Sequence, residues 1–247
     1  MRTCTAAYGV FYRWLVFFGL VLFGAFAAHQ GGLAGRVLTD DASRISAIIM
    51  VLLLLASLHA GARALQLGRE ICGAQRLKQR AGSGADLFVP DASGDPLLNA
   101  PELPPGHARD HLLLLATKIH RQGRLGSQEL LLERLENVLG RGHETGWFIA
   151  DLMIRLGLLG TVIGFIVMLG SVAGVSSVDL QTLQQLLTGM SGGMRIALYT
   201  TLTGLGAGIL LGFQYRMLDA AVDRLMAEII ELAEVHAAAH LRRLAGD

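Results

Sequence analysis

Four long apolar stretches constrain the fold of this 247-residue chain more than any other feature of its sequence. A helix that crosses the hydrocarbon core of a bilayer needs about 20 apolar residues. Residues 156–178 contain no charged side chain over 23 residues, and residues 196–215 contain none over 20. Residues 45–62 add an apolar stretch of 18, in which only His59 can carry a charge, and residues 14–28 add one of 15. The sequence therefore predicts an all-α, polytopic membrane protein with four transmembrane helices.

The composition supports this class and argues against others. Hydrophobic residues make up 52% of the chain and charged residues 17%, which is too apolar for an ordinary soluble domain. The net charge of +1 gives no electrostatic reason for binding nucleic acid. No His, Asp, Glu or Cys residues are spaced to act together at one membrane face, so we expect neither an enzyme nor a metal site nor a cofactor.

The first apolar stretch has two interpretations. Arg2 and Arg13, a short apolar run and the sequence AFA at 25–27 are compatible with a cleaved signal peptide, which would leave three spans. Alternatively, the stretch is extended by Val10–Tyr12 while Arg13 reaches the interface, and it remains as a membrane helix. The rest of the topology is the same in both cases.

Lysine and arginine set the orientation, because they accumulate in cytoplasmic segments. Residues 63–146 carry seven basic residues near their membrane ends, and the tail carries four more, whereas residues 179–194 carry none. We therefore expect a multi-pass membrane protein with residues 63–146 and the C-terminus in the cytoplasm. Membrane lipid is then an obligatory partner.

The predicted organisation has four regions. Residues 1–66 hold membrane helices at about 10–28 and 45–66, and residues 67–146 are cytoplasmic, with a Pro/Gly-rich linker at 81–106 and short helices within 107–141. Residues 147–217 hold membrane helices at about 147–175 and 190–215, and residues 218–247 form a cytoplasmic helical tail. Apolar residues of this tail follow a heptad pattern: Leu218, Val222, Leu225, Ile229 and Leu232, continued by His236 and Ala239. The pattern fits either packing of this helix against the helices of residues 107–141 or contact between copies of the chain.

Glycines mark one face of each of the last two membrane helices. Small residues let helix backbones approach closely in lipid, where the hydrophobic effect does not drive association. The candidates for tight helix packing are Gly157, Gly160 and Gly164 on the first helix, and Gly204, Gly208 and Gly212 on the second.

Threonines accompany these glycines near the middle of the bilayer. Thr161 lies about 21 Å into the third span and Thr201 about 17 Å into the fourth, at 1.5 Å per residue. Both hydroxyls are thus near mid-depth, with Thr200 adjacent, and they are candidates for a shared polar pathway. The alternative is that each hydroxyl bonds a carbonyl of its own helix and does nothing more. Asp151 and Arg155, four residues apart, are expected to form a structural ion pair.

These motifs resemble a known family. GLLGTVIGFIVML (157–169), a polar connection, and ALYTTLTGLGAGILLGFQYRMLD (197–219) are similar to the core of the MotA/TolQ/ExbB proton-channel family. The resemblance implies an ion-channel or stator subunit of an inner-membrane motor, driven by the proton or sodium motive force. It also implies a homo-oligomer, a pentamer, around a dimer of a single-span partner similar to MotB, TolR or ExbD.

In such a complex the partner carries the titrating aspartate, and Thr161 and Thr201 match the pore-facing threonines of the family. A non-conducting membrane scaffold or sensor subunit is the alternative function. The translocated ion, H+ or Na+, and the process that is driven stay open, as does the role of residues 67–146.

Overall fold

A computed structural model describes residues 8–32, 35, 37, 41, 43–83, 87–90, 96–99, 105–122, 128–173 and 180–245. The helices are α1 (Gly9–Gln30), α2 (Ile45–Gly82), α3 (His107–Gln122), α4 (Glu129–Ala173), α5 (Leu180–Glu231) and α6 (Ala238–Ala245). A π-helical turn, Leu232–His236, connects α5 to α6. Among the described residues, α1, α2, α4 and α5 are long and apolar enough to cross a membrane. The predicted all-α polytopic fold with four candidate spans is confirmed.

Two helices extend well beyond their apolar stretches. The predicted span at 147–175 is the second part of α4, and the predicted short helices at 107–141 correspond to α3 and the first part of α4. α5 begins at Leu180, so most of the polar segment 179–194 is helical. Extending an existing helix gains a hydrogen bond per residue without a new nucleation step, which favours such continuation. The segment between the two predicted short helices, residues 123–127, lies outside the described residues.

The expected Pro/Gly-rich linker at 81–106 contains a short β-ribbon in its described part. β1 (Phe88–Pro90) pairs antiparallel with β2 (Pro96–Leu98), with Phe88 opposite Leu98. Leu87 and Leu98 are buried, so apolar side chains pack the ribbon against the rest of the chain around it. The linker is therefore more ordered at this point than its proline and glycine content suggests.

The described residues divide into two compact units. The apolar unit comprises Leu15–Ala60 and Glu144–Arg216, and the charged unit comprises the described parts of Met1–Trp14, Gly61–His143 and Met217–Asp247. Large hydrophobic side chains remain exposed along the apolar unit, among them Phe23, Leu54 and Ile166. Such a surface suits contact with lipid or with other membrane helices.

In the charged unit, the heptad pattern of the tail packs within the chain. Leu225, Ile229 and Leu232 are fully buried, and Leu218 and Val222 are nearly so. Beside them, Lys78 Nζ lies 2.6 Å from Glu231 Oε1, and Gln75 Nε2 donates to Glu228 Oε1 at 3.3 Å. Packing within the chain therefore accounts for the apolar positions of the heptad pattern from Leu218 to Leu232.

The start of α2 is fixed by a buried carboxylate. Asp41 Oδ2 accepts a hydrogen bond from the Ser46 backbone N–H at 2.8 Å, and Asp41 Oδ1 accepts one from the Ser43 backbone N–H at 3.0 Å. Burial raises the pKa of Asp41, but the hydrogen bonds from Ser43 and Ser46 outweigh it and hold the pKa below its ordinary value. The carboxylate thus satisfies backbone donors that the first turn of a helix leaves without partners.

Candidate functional site

The candidate site is the contact between α4 and α5 in the apolar unit. The two helices run antiparallel, and each facing pair along the contact includes a glycine. From one end to the other, the facing pairs are Trp147 with Gly212, Ile154 with Gly208, Gly157 with Gly204, Gly160 with Thr200, Gly164 with Gly193, and Ser171 with Gly189.

The backbones approach closely where Gly157 faces Gly204. A Cβ atom added to Gly204 would lie 2.7 Å from the Met153 carbonyl oxygen and 2.8 Å from the Gly157 Cα. These neighbours are backbone atoms that cannot rotate away. Any side chain at Gly204 would therefore push the helices apart.

One helical turn further along the contact, Gly160 of α4 faces Thr200 of α5. Thr200 is fully buried, and a Cβ atom added to Gly160 would lie 2.2 Å from its Oγ1 and 2.3 Å from its Cβ. Gly160 thus provides the space that the Thr200 side chain occupies. Thr200 consequently lies inside the helix contact, where it faces no open pathway within the described chain.

A second close approach involves Gly193, which the sequence pattern did not single out. Cβ atoms added to Gly164 and Gly193 would each lie 2.6 Å from the carbonyl oxygen of the other residue. Gly193 precedes Ala197 by four residues, so a search for small residues at this spacing would have found it. Of the other predicted packing positions, Gly208 is equally crowded, because a Cβ atom added there would lie 2.5 Å from Ile154 Cγ1. One added to Gly212 would lie at ordinary contact distance, 3.5 Å, from Trp147.

Each threonine hydroxyl bonds to its own helix. Thr161 Oγ1 donates to the Leu158 carbonyl oxygen at 2.6 Å, and Thr201 Oγ1 donates to that of Ala197 at 2.9 Å. The Thr200 hydroxyl lies 2.8 Å from the Ile196 carbonyl oxygen and 3.1 Å from that of Ala197. In the described chain, no hydrogen bond joins Thr161 to Thr201, although both lie beside the Gly157–Gly164 part of the contact. A donor bonded in this way keeps acceptor lone pairs that a water or ion can use.

A groove of about 520 Å³ lies beside the same contact. Thr161, Phe165 and Met168 line it from α4, and Gly193, Met194 and Ala197 line it from α5. Val162, Phe165 and Met194 are more than half exposed, at 56%, 55% and 56%. The groove is therefore an apolar surface with Thr161 as its polar member.

Two polar contacts flank this region. Asp151 and Arg155 form the predicted i,i+4 pair, with 2.5 Å between Oδ2 and Nη2, and both side chains are largely exposed. Gln214 Nε2 donates to Ser57 Oγ at 3.0 Å, and both of these residues are buried. The second contact joins α2 to α5 and was not predicted, because a hydrogen bond between residues 157 positions apart leaves no local sequence pattern.

A family model described as the MotA/TolQ/ExbB proton channel family matches residues 125–231. This part of the chain is therefore similar to that family. It includes the whole of α4 from Glu129 onward and α5 through Glu231, so the glycine-lined contact is the structure that the family match covers. The MotA/TolQ/ExbB family is a channel family, which agrees with the expectation that the chain is not an enzyme. No curated protein and no solved structure matches the chain in the corresponding comparisons.

Proposed function

We propose that this chain is the ring-forming subunit of an ion channel in the bacterial inner membrane, and that the channel drives a motor. Five copies surround two copies of a single-span protein similar to MotB, TolR or ExbD. The distribution of basic residues supports a cytoplasmic location for residues 63–146 and for the C-terminal tail. The match of residues 125–231 to the proton channel family supports conduction.

The absence of acidic residues from the membrane stretches carries this proposal. The sequence has no Asp or Glu at 152–178, at 180–218 or at 42–69. A proton pathway through a bilayer commonly uses a titratable side chain, and such residues are rare and functional inside membranes. The chain therefore relies on an aspartate supplied by its partner. Thr161 and Thr201 offer hydroxyl oxygens beside the partner helix, and Thr200 holds the spacing between α4 and α5.

The translocated ion is H+ or Na+, and no further cofactor is needed. Threonine oxygens can accept a hydrogen bond from a hydronium or water and can also ligate a sodium ion. The groove lined by Thr161 and Ala197 is the surface on which the partner helix packs. Small residues at its edge permit that close approach.

Native mass spectrometry of the complex from its own host tests the architecture. Five copies with two copies of a small single-span protein that carries a membrane aspartate are expected. Proton and sodium flux into vesicles then test the threonines. Thr201→Val is expected to reduce flux at least tenfold while the complex still assembles.

Thr203→Val is the matched control for the flux measurement. Thr203 lies on α5 two residues away, is similarly half-buried, and donates to the Tyr199 carbonyl oxygen at 2.8 Å. Its variant should retain flux within about twofold, because it faces a different direction at about 100° per residue. Equal flux in the two variants would contradict a pathway role for Thr201.

A non-conducting scaffold or sensor subunit is the second candidate function. The observation that favours it is that all three threonine hydroxyls bond carbonyl oxygens of their own helices. Such bonds satisfy the side chains without an ion. Normal assembly with no flux of either ion, and no partner with a membrane aspartate, would establish this second function instead of the first.

A further inference from the structure

The charged unit carries an acidic groove of about 700 Å³ that the proposed ion pathway does not use. Leu132 of α4 lines it, together with Met226 and Ile230 of α5 and Leu115 and Ile119 of α3. Glu133 and Glu136 of α4 and Glu234 of the π-helical turn also line it, and Glu234 Oε1 accepts a hydrogen bond from Gln128 Nε2 at 3.1 Å. The groove thus has an apolar floor between acidic walls, with Arg242 as a lining cation.

The dimensions of the acidic groove suit a helix. Its wall on α4 extends from Glu129 to Glu136, about 10 Å, and its wall on α5 and the π-helical turn extends from Met226 to Glu234, about 12 Å, at 1.5 Å per residue. Each wall is therefore about two helical turns long. A helix with its side chains has a diameter of about 10 Å. Helices that bind in such grooves present apolar anchors at i, i+4 and i+7 or i+8.

The same chain presents a surface of complementary chemistry. We call it the basic ridge: Leu130, Arg134, Val138 and Arg141, spaced at four, four and three residues along α4. Leu130 is 75% exposed and Val138 is 44% exposed, and both arginines are exposed. Within the described part of the chain, no ion pair includes Arg134 or Arg141, nor Glu133 or Glu136. Apolar and basic side chains therefore alternate on a helix face that has no partner in the described chain.

We propose that the acidic groove of one copy binds the basic ridge of a second copy. Leu130 and Val138 contact the apolar floor, and Arg134 and Arg141 pair with the glutamates of the walls. This inference rests on the proposed homo-oligomer and identifies a contact that holds it together.

The positions of the acidic groove and the basic ridge around α4 allow several copies of the chain to join into a ring. At about 100° per residue, the groove-lining residues of α4 and the basic ridge are separated by roughly 145° around the helix. The two surfaces are different and do not overlap, so each copy can use both at once. Such a head-to-tail contact is heterologous and closes into a cyclic oligomer when the rotation between copies is appropriate.

Charge reversal tests the contact in the full-length chain. Glu133→Lys with Glu136→Lys makes the groove basic, and Arg134→Glu with Arg141→Glu makes the ridge acidic. Either pair alone is expected to lower the fraction of intact oligomer in native mass spectrometry at least fivefold, because like charges then face each other. The chain with all four changes restores opposite charges across the contact. It is expected to recover the oligomer to within twofold of the unchanged protein.

Two exposed residues outside both surfaces supply matched controls, Asp223→Lys and Arg76→Glu. They should leave the oligomer unchanged. Raising the salt concentration from 0.1 to 1 M shortens the Debye length from about 10 to about 3 Å, so the unchanged oligomer should dissociate more at high salt. Thermal unfolding of each variant identifies loss of fold, which the four-change chain should not show.

The results separate this contact from the proposed function. If the single-surface reversals assemble normally, or if the folded four-change chain fails to recover, the contact is wrong, and the groove then serves another molecule. If assembly follows the charges but no ion flux or partner aspartate is found, the contact stands and the channel function falls. If ion flux and the partner are found as proposed but assembly does not depend on these charges, the channel function stands and the contact falls.

Discussion

Gly160 of α4 directly faces the Thr200 side chain of α5, and a Cβ atom added to Gly160 would lie 2.2 Å from the Thr200 Oγ1. The threonine is fully buried there, and its hydroxyl bonds the α5 backbone. Its methyl and hydroxyl groups therefore fill space that glycine leaves open. Of the three threonines near mid-depth, Thr200 is the one whose side chain packs inside the contact between α4 and α5.

Gly204→Ala should destabilise the apolar unit. Its new Cβ would lie 2.7 Å from the Met153 carbonyl oxygen and 2.8 Å from the Gly157 Cα, and neither backbone atom can move without shifting a helix. We expect a loss of about 1–3 kcal/mol in the free energy of unfolding, typical of an overpacked contact. Unfolding by SDS titration in detergent micelles measures it.

Gly206→Ala is the control for this measurement. Gly206 lies two residues further along α5, and a Cβ atom added there would meet nothing within 4 Å. Alanine has the higher helix propensity, so stability should stay equal or rise by up to about 1 kcal/mol. Equal losses in the two variants would show that the close approach at Gly204 is unimportant.

The hydrogen bond between Gln214 and Ser57 should contribute a small, measurable coupling between α2 and α5. The two side chains are buried and 3.0 Å apart. Such bonds between membrane helices average about 0.6 kcal/mol and reach about 1.7 kcal/mol, because the separated helices also find other partners. A double-mutant cycle with Gln214→Leu and Ser57→Ala should give a coupling energy in this range. Additive losses would mean that the contact does not stabilise the packing.

The sequence predicted the membrane helices and the glycine-lined faces because both depend on local patterns. Uncharged stretches identify a span, and glycines four residues apart identify a helix face. The facing of Gly157 with Gly204 also follows once the two helices are antiparallel neighbours. The resemblance to the MotA/TolQ/ExbB family rested on these same residues, and the family model matches residues 125–231.

The sequence did not reveal contacts between distant segments or the continuation of helices into polar regions. The pairing of Ser57 with Gln214 depends on the rotation of α2 against α5, which no local pattern specifies. The length of α4 was underestimated because residues 129–146 are polar enough to suggest a separate element. The ribbon at Phe88–Leu98 was missed because its strands are three residues each, too short for an alternation to be recognised.

Asp41→Ala should destabilise the start of α2 by about 1 kcal/mol, the usual effect of losing an N-terminal capping side chain. The carboxylate accepts hydrogen bonds from the backbone N–H groups of Ser43 and Ser46. Since its folded pKa is lowered, the stabilisation is present above the ordinary aspartate pKa of about 3.9 and is lost as the pH falls through the folded pKa. The difference between variant and unchanged protein should thus be constant from pH 5 to pH 8. Ser83→Ala, exposed at the other end of α2, is the control and should change stability by less than 0.5 kcal/mol.

The charged unit should lose stability as the medium becomes mildly acidic, because of His111. Burial lowers the pKa of this histidine, and this effect exceeds the opposing effect of a hydrogen bond with Gln128. The folded state therefore keeps His111 neutral, while the unfolded chain binds a proton below about pH 6.5, so stability falls as the pH drops from 6.5 towards the lowered folded pKa. Thermal unfolding between pH 7.5 and pH 5 should show this decline, and His111→Leu should reduce it. His120→Gln, an exposed histidine on the same helix, should retain the full decline. An identical pH dependence in the His111→Leu variant would assign the decline to another group.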